Sequence, residues 1–328
     1  MKALVQLAYG SPGGLALQQV AQPVARSGDL VVQVCAASLN AADRLLLRGE
    51  PYAIRAMAGG LRRPRSGFVV GRALSGRVVA VGDDVEGFAV GDDVLAETGA
   101  AIGEFARVPA RLAALKPVGL SFIEAAALPL AGTTALQGLR AAAAIRRGAR
   151  VLVTGASGGV GTFAVQLAVA RGAGVTAVCA GRAAEMMRSL GATQIIDYEQ
   201  GRGDDVGELG ERFEAILDLA GNYPLAALRR ALAPGGTLVL SVGTGGRWFG
   251  PMRRILKGAT TGGGQVRTLT AHPSPEDLSE LAGMVATGQI RPVIDRVYPL
   301  EDAAAAVDRI DRGPVAGKIV VAVTASPD

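Results

Sequence analysis

Apolar and polar positions divide the chain into two regions with different periodicities. In the first region, alternating or continuous apolar runs are separated by Gly-Asp turns, a pattern typical of β-strands. The strands predicted there are Leu30–Ala36, Ser75–Val81, Asp93–Leu95 and Phe105–Pro109. Ala41–Leu47 is predicted to be a short helix. The first third of the chain is therefore predicted to be rich in β-structure.

From about Leu120 the pattern changes to alternating strands and helices. Ser121 and Glu124 form a capping-box pattern before an apolar run, and a second helix is predicted over Thr133–Arg146. The strands that follow are predicted at Val151–Thr154, Val175–Cys179, Gln194–Ile196, Ala215–Leu219, Thr237–Val242 and Val266–Thr270, with helices at Gly161–Arg171, Ala183–Leu190 and Pro224–Leu232. This alternation predicts an α/β fold with a doubly wound parallel sheet.

The tail returns to a mixed pattern. Its predicted helices are Asp277–Thr287 and Glu301–Asp311, and its predicted strands are Val293–Tyr298 and Lys318–Val323. The final strand is apolar and is expected to pair within a sheet. We therefore expect a discontinuous β-rich outer domain, residues 1–118 and 276–328, with a nucleotide-binding domain, residues 119–275, inserted between its two parts.

Composition excludes several classes of protein. The 328 residues are 49% hydrophobic and 19% charged, which excludes disorder. The net charge of +5 comes from scattered arginines with few aromatic residues, so nucleic-acid binding is not expected. The uncharged run Val151–Ala170 contains four glycines and divides into strand, turn and helix, so we expect no membrane span, and the N-terminus lacks the pattern of a signal peptide.

Cysteine and histidine are too scarce for the common metal and disulfide frameworks. Cys35 and Cys179 are the only cysteines and His272 is the only histidine. Neither a zinc site nor a disulfide framework is expected from so few ligands, and a reducing cytoplasm is the expected compartment. His272 lies in a Pro-rich, loop-like run, so we do not assign it a catalytic role.

The strongest chemical signal is a glycine-rich turn between a predicted strand and a predicted helix. Read as the dinucleotide fingerprint G-x-G-x-x-G, the segment has Ala156 in the first position, Gly158 in the second and Gly161 in the third. Gly158 would let the backbone approach a pyrophosphate, and Gly161 would allow close packing of helix and strand. The helix N-terminus offers N–H groups to the phosphates. A turn of this kind that binds nothing is the alternative.

The next strand bears on the choice between NADPH and NADH. An acidic residue about 20 positions beyond the turn would bind the ribose hydroxyls of NADH. Here the strand ends in Ala180-Gly181-Arg182 with no carboxylate. Arg182 is able to pair with a 2′-phosphate, so NADPH is the expected cofactor. The alternative for Arg182 is a solvated arginine at the start of a helix.

Several segments together resemble the zinc-free, quinone-oxidoreductase-like branch of the medium-chain dehydrogenase/reductase superfamily. Besides the glycine-rich turn, they are Ala36–Asp43, Arg48–Tyr52, Gly76–Gly82 with Val90–Asp92, Ala125–Thr134, Leu190–Ala192 with Ile196–Tyr198, and Gly317–Val320. The resemblance covers nearly the whole chain. It implies a GroES-like outer domain, a Rossmann domain and a substrate cleft between them. Where zinc members carry Cys and Gly-His-Glu ligands, this chain has Asn40 and Gly71-Arg72, and the four-cysteine lobe is missing.

The resemblance also implies an activity and a set of site residues. Members of this branch use NADPH to reduce quinones or the C=C bond of α,β-unsaturated carbonyl compounds. Tyr52 matches a tyrosine that donates a hydrogen bond or a proton, and Asn40 matches a residue that bonds the carbonyl or the nicotinamide amide. The cofactor contacts implied are Thr134, Ser157, Gly158, Gly159, Val160, Arg182, Tyr198, Asn222, Gly243 and, as a weaker candidate, Lys318.

Three departures from the family pattern lie in the outer domain. Relatives often have an acidic residue where Ala73 stands, Trp where Arg44 stands, and Phe-Ala-Glu-Tyr where this chain has Phe105-Ala106-Arg107-Val108. An alternative function is therefore a pathway-specific natural-product enzyme on the same scaffold, either an enoyl reductase or a non-redox cyclase or isomerase. A non-catalytic binding protein is a third reading of the same fold. Relatives are often oligomers through the edges of the Rossmann sheet, and the run Gly258–Gly264 is a candidate segment for a homodimer interface.

Overall fold

The computed structural model describes residues 1–56, 58–142, 145–200, 206, 210–241 and 265–324. The chain forms two compact units. The outer unit combines Met1–Thr133 with Pro273–Asp328, and the inner unit is Thr134–His272. The chain therefore leaves the outer unit once and returns to it.

The strands of the described residues, in chain order, are β1 (Lys2–Gln6), β2 (Leu15–Gln19), β3 (Asp29–Leu39), β4 (Ala73–Val81), β5 (Asp93–Glu97), β6 (Phe105–Pro109), β7 (Ala113–Leu115), β8 (Arg150–Thr154), β9 (Gly174–Cys179), β10 (Gln194–Asp197), β11 (Phe213–Asp218), β12 (Leu232–Leu240), β13 (Gln265–Thr268), β14 (Ile294–Pro299) and β15 (Lys318–Ala322). The α-helices are α1 (Ala41–Arg48), α2 (Phe122–Ala127), α3 (Ala131–Ala141), α4 (Gly159–Ala170), α5 (Ala184–Ser189), α6 (Leu225–Arg230), α7 (Pro275–Ala286) and α8 (Ala303–Asp311).

The outer unit is built on a mostly antiparallel sheet in the order β14-β15-β3-β4-β5-β7, with β6 paired to β3. The long strand β3 runs antiparallel to β4, β6 and β15, and β14 pairs with β15 in parallel. Leu30, Val32, Leu74 and Ile319 are fully buried in its core. This is the GroES-like β-rich domain that the sequence predicts, although β1, β2 and β7 are not among the predicted strands.

The boundary between the two units differs from the expected division after residue 118. Helix α2 belongs to the outer unit, because the Ser75 hydroxyl on β4 donates to the Phe122 carbonyl and Ala126 packs with Cys35 and Val320. The predicted capping box is confirmed, since the Ser121 hydroxyl accepts from the Glu124 N–H and the Glu124 carboxylate accepts from the Ser121 N–H, each at 3.2 Å.

The inner unit is a six-stranded, parallel Rossmann sheet in the order β10-β9-β8-β11-β12-β13. Its buried strands are apolar along their length, as expected of a sheet covered on both faces. The predicted order of strands and helices is confirmed here, and the helix ends lie one to five residues from their predicted positions. The order reverses next to β8, and in such sheets ligands bind at the carboxyl ends of the strands near that point.

Candidate functional site

The glycine-rich turn lies between the carboxyl end of β8 and the first residue of α4. Gly158 is the residue before the helix, and the first turn of α4 carries no acidic side chain. The first N–H groups of a helix have no partner within the helix and carry a partial positive charge. The predicted phosphate-binding residues Ser157, Gly159 and Val160 therefore lie where an anion would be stabilised.

The glycines of this turn serve different purposes. A Cβ atom on Gly161 would lie 2.4 Å from the Gly155 carbonyl oxygen, so the protein itself leaves no room for a side chain there. A Cβ on Gly158 would meet only the Gly155 carbonyl, at 3.4 Å, which is an ordinary contact. The fold thus does not require glycine at residue 158. A ligand that approaches this backbone closely would require it, and the turn fits a pyrophosphate.

A buried hydrogen bond joins the ends of the two strands at the reversal of the sheet. The Thr154 hydroxyl at the end of β8 donates to the Asp218 carboxylate at the end of β11, at 2.7 Å. The Ala220 N–H donates to the same hydroxyl, and the Gly221 N–H donates to Asp218, so the loop after β11 is held beside the turn after β8. Asn222 is exposed in this loop. The structure thereby brings this predicted cofactor residue to the same edge as the glycine-rich turn.

The surroundings of Arg182 differ from the expectation that no carboxylate is available there. Arg182 follows β9 with 61% of its side chain exposed, and its guanidinium donates to Glu199 at 2.9 Å. Asp197, at the end of β10, lies against Gly181, where a Cβ atom would come within 2.4 Å of its carboxylate. Both acids come from the neighbouring strand and the turn after it. Arg182 is therefore already paired with a carboxylate that would compete with a 2′-phosphate.

The remaining cofactor candidates of the inner unit are less informative. Tyr198 lies in the short 3-10 helix after β10 and is 38% exposed. Thr134 is buried within α3. Gly243 and the run Gly258–Gly264 lie outside the described residues, and so does Val242, the last residue of a predicted strand.

Asn40 and Lys318 meet in the outer unit, although 278 positions separate them. Asn40 precedes α1 and Lys318 begins β15, and the pairing of β15 with β3 brings the two together. The Lys318 ammonium donates to the Asn40 side-chain oxygen and, at 2.9 Å, to the Leu39 carbonyl. The Asn40 amide nitrogen donates to the Ser38 carbonyl at 3.3 Å. The Lys318 ammonium is thus buried and bonded within the outer unit. A lysine that binds a cofactor phosphate would instead have its ammonium accessible to the ligand.

Two buried carboxylates and the partly exposed Arg72 complete a polar cluster around Asn40. We call Asn40, Asp43, Arg72, Glu97 and Lys318 the polar cluster. The Asp43 carboxylate accepts from the Asn40 backbone N–H at 2.8 Å, and the Arg72 guanidinium donates to Glu97 at 3.3 Å. Glu97 stands directly opposite Ala73 in the ladder of β4 and β5. The outer unit therefore has a buried carboxylate beside the position where the family pattern led us to expect one.

Burial sets the protonation of this cluster. It raises the pKa of Asp43 to about 6, against the opposing effects of the Asn40 N–H and the charges of Lys318 and Arg72. It also raises the pKa of Glu97, against the charge and hydrogen bond of Arg72. For Lys318 burial lowers the pKa to about 7, while the charges of Asp43 and Glu97 raise it. The cluster therefore changes charge close to neutral pH.

Tyr52 lies in the 3-10 helix Tyr52–Ala56 of the outer unit and is partly buried. The Arg55 guanidinium lies over its ring, 4.3 Å from the ring centre, and also over the ring of Tyr9. Arg55 is itself held by the carbonyls of Gly49 and Leu61. The ring of Tyr52 is thus fixed by stacking on a cation that the backbone anchors.

Among the described residues, no set of three or more His, Cys, Asp or Glu side chains is placed to hold a metal ion. Cys35 and Cys179 are buried free thiols, and burial with the charge of Asp197 raises the pKa of Cys179 to about 11. His272 is an exposed loop residue whose backbone is bonded to Gln137. None of the described helices is long and apolar enough to cross a bilayer.

Comparisons with known proteins agree with this architecture. The alcohol dehydrogenase GroES-like domain family matches residues 26–118, and the zinc-binding dehydrogenase family matches residues 190–321. The chain is 32% identical over 335 residues to the chloroplast envelope quinone oxidoreductase homolog of Arabidopsis thaliana, covering 98% of each chain. It is 31% identical to the 2-methylene-furan-3-one reductase of Solanum lycopersicum, over 98% of this chain and 79% of that protein.

Solved structures give the same result. The quinone oxidoreductase of Coxiella burnetii superposes with a TM-score of 0.88 at 28% identity, over 99% of each chain. The mycobacterial protein Rv1454c, solved in complex with NADPH, superposes with a TM-score of 0.80 at 28% identity, over 98% of this chain and 100% of that one. A GroES-like unit joined to a Rossmann unit defines a class of two-domain oxidoreductases. The chain belongs to the medium-chain dehydrogenase/reductase superfamily, in its quinone-oxidoreductase-like branch.

Sequence reasoning missed the residues that modify the predicted site. Glu199 is not evident from the sequence because it follows β10, which only the pairing of β10 with β9 brings beside Arg182. The motif that contains Asp43 does not by itself indicate its burial, and nothing in the sequence around Glu97 indicates its place beside Arg72. The pattern Asn40-Ala-Ala-Asp43 does carry a detectable signal, since an acid three residues after a helix cap is half of a capping box.

Proposed function

We propose that the protein is an NADPH-dependent, zinc-independent reductase that transfers hydride to a quinone or to the C=C bond of an α,β-unsaturated carbonyl compound. The observation that carries the proposal is the turn at Gly158, where the protein does not need glycine and a closely approaching pyrophosphate would. Backbone N–H groups at the start of α4, together with Ser157 and Asn222, are the proposed contacts for the phosphates and the neighbouring ribose.

The preference for NADPH rests on Arg182. Its guanidinium is mostly exposed after β9, and the carboxylate that binds it belongs to an exposed glutamate. Exposed ion pairs contribute little free energy, so a 2′-phosphate with its higher charge is a stronger partner for Arg182 than Glu199 is. The neighbour Rv1454c was solved with NADPH, which supports the same choice.

Outer-unit residues act on the substrate in this proposal. When bound, the nicotinamide cofactor would supply a hydride for the β-carbon of the conjugated carbonyl compound. A proton would then have to reach the α-carbon. The negative charge that develops on the carbonyl oxygen needs hydrogen-bond donors. Asn40 donates to this oxygen, and Tyr52 donates a hydrogen bond or the proton. The quinone and furanone reductases among the relatives support both substrate classes.

Zinc independence is proposed from the chemistry of the residues present. The Asn40 side chain is hydrogen-bonded to Lys318 and to the Ser38 carbonyl, and Arg72 is paired with Glu97. Neither position therefore offers a metal ligand. Lewis-acid activation of the carbonyl would then be replaced by hydrogen bonds. The cytoplasm stays a prediction, because the relatives named for chloroplast and mitochondrion show that this family works in several compartments. A homodimer also stays a prediction.

The first test is a titration of the purified protein with NADPH and with NADH, in which nicotinamide fluorescence reports binding. We expect tighter binding of NADPH, and its oxidation in the presence of a quinone or a simple enone. Tyr52→Phe should lower kcat by about 10²-fold or more if Tyr52 donates the proton. Tyr298→Phe, a partly buried tyrosine on β14, is the matched control. Failure to bind either cofactor contradicts the proposal, and binding without turnover favours the pathway-specific alternative.

A further inference from the structure

The side-chain amide of Asn40 has only one orientation that its surroundings accept. Its oxygen accepts a hydrogen bond from the Lys318 ammonium, and its nitrogen donates one to the Ser38 carbonyl. With the amide turned over, its NH₂ group would face the ammonium and its oxygen would face a carbonyl oxygen, and both contacts would be repulsive. Lys318 therefore determines which atom of Asn40 is engaged inside the protein.

A fixed amide restricts what Asn40 is able to bind. Its oxygen is engaged by Lys318, while the NH₂ group has two hydrogens and uses one on Ser38. The group left for a ligand is thus a donor, and it suits a carbonyl oxygen. For the substrate carbonyl and the nicotinamide amide alike, the partner of this donor would be an oxygen, and an amide NH₂ group is excluded.

We propose that Lys318 is a positioning residue that holds Asn40 as a hydrogen-bond donor toward a substrate carbonyl oxygen, and that Asp43 and Glu97 supply the negative charge that keeps Lys318 in place. The proposal rests on the proposed reductase function for the identity of the ligand. It removes Lys318 from the set of cofactor contacts, because both of its hydrogen-bond partners in the described residues belong to residues 39 and 40.

Two charged groups act on Lys318, namely Asp43 on α1 and Glu97 on β5. Arg72, immediately before β4, pairs with Glu97 and also acts on Asp43. A charged donor polarises the amide and makes its N–H group a stronger donor. A neutral lysine amine still has two N–H groups for Leu39 and Asn40, so deprotonation preserves the orientation of the amide and removes the polarisation. Loss of the side chain removes both.

Isotope labelling offers a readout that does not involve the cofactor. The chain contains two asparagines, Asn40 and Asn222, so protein labelled with ¹⁵N-asparagine gives two side-chain amides in an NMR spectrum. We expect the Asn40 amide to shift with pH, with a midpoint near the pKa of Lys318 of about 7, and the exposed Asn222 amide to remain constant. Glu97→Gln should move this midpoint to lower pH, because a negative charge near the ammonium is lost. An Asn40 amide that is insensitive to pH overturns the proposal.

Substitution of Lys318 separates positioning from a structural role. Lys318→Met should lower kcat by about tenfold, which corresponds to one hydrogen bond of ordinary strength, and should abolish the pH-dependent shift of the Asn40 amide. The dissociation constant of NADPH should not change. Lys2→Met is the matched control, since the Lys2 side chain is 48% exposed. Unchanged kcat, or unchanged kcat with weakened NADPH binding, overturns the positioning role.

Asn40→Asp tests the donor directly. Aspartate keeps an oxygen for Lys318 and remains a good residue before a helix, but it has no N–H group for the substrate. We expect kcat to fall by about 10²-fold or more with an unchanged dissociation constant of NADPH. The melting temperature should also fall, because the second carboxylate oxygen would face the Ser38 carbonyl. A kcat equal to that of the unaltered protein overturns the proposal. If the protein binds no nicotinamide cofactor, the proposed function fails while the NMR titration still decides whether Lys318 holds Asn40.

Discussion

At the scale of single residues, the proposed preference for NADPH depends on the pair formed by Arg182 and Glu199. Glu199→Gln removes the charge that competes with a 2′-phosphate, so we expect the dissociation constant of NADPH to fall about two- to fivefold, within the range of an exposed ion pair. NADH binding should change little. Fluorescence titration with both cofactors measures the ratio of the NADH and NADPH dissociation constants.

The matched control for this change is Glu211→Gln. Glu211 accepts a hydrogen bond from the Gln194 side chain rather than from an arginine at the end of β9. Arg182→Ala should act in the opposite direction and weaken NADPH selectively. Equal effects of Arg182→Ala on NADPH and NADH would contradict the assignment of Arg182 to the 2′-phosphate.

The titration of Lys318 also makes a prediction about stability. Its pKa is lowered from 10.5 to about 7, so between these pH values the unfolded chain binds a proton that the folded chain does not. The free energy of unfolding contributed by Lys318 therefore rises with pH across this window. Lys318→Met should remove that rise, and Lys2→Met should keep it. Urea unfolding at pH 7, 8 and 9 measures the difference, and parallel curves for the unaltered and Lys318→Met proteins would refute it.

Asp43 contributes with the opposite sign at lower pH. Its pKa is raised from 3.8 to about 6, so between these values the folded chain binds the extra proton. The contribution of Asp43 to the free energy of unfolding falls as pH rises through this window. In Asp43→Asn this fall should be absent, while the amide oxygen still accepts from the Asn40 backbone N–H. Unfolding curves at pH 4, 5 and 6 test it, and a fall as steep as in the unaltered protein would count against a raised pKa.

At the scale of elements, the turn before α4 separates the requirements of folding from those of binding. Gly161→Ala places a Cβ atom 2.4 Å from a carbonyl oxygen. This substitution should lower the free energy of unfolding by about 3 kcal/mol, as at other overpacked sites. Gly158→Ala should leave the melting temperature nearly unchanged and weaken NADPH binding at least tenfold. Melting curves and fluorescence titrations of both variants distinguish the two effects. Equal losses of stability in Gly158→Ala and Gly161→Ala would contradict the assignment of Gly158 to ligand binding.

Periodicity predicted the described elements of the inner unit well, because short apolar strands alternate there with helices. It did not predict β1, β2 and β7, since a strand such as Ala113–Leu115 is too short to show a period and is defined by its pairing with β5. Residues of the candidate site were predictable where one local turn contains them. The contact of Lys318 with Asn40 and that of Glu199 with Arg182 depend on strand pairing, which no local pattern contains.

At the scale of the whole molecule, cofactor binding should stabilise the folded protein through the inner unit. A ligand at 100 times its dissociation constant adds about 2.7 kcal/mol to the free energy of unfolding. We expect NADPH to raise the melting temperature in the unaltered protein and in Asn40→Asp, because Asn40 belongs to the outer unit. Gly158→Ala should show a smaller shift at the same concentration. Thermal melts with and without NADPH test this, and an equal shift in Gly158→Ala would contradict the role of the turn.

The division of the outer unit between the two ends of the chain has a consequence for synthesis on the ribosome. Strand β15 lies between β14 and β3 in the outer sheet, and it is made long after β3. Until β15 leaves the ribosome, one side of β3 has no partner along Ala36–Leu39 and Asn40 has no lysine. The inner unit is by then fully translated. A nascent chain is thus able to fold its nucleotide-binding unit first. The Asn40 donor is held in place only after translation has passed Lys318, so an unfinished chain lacks the proposed activity.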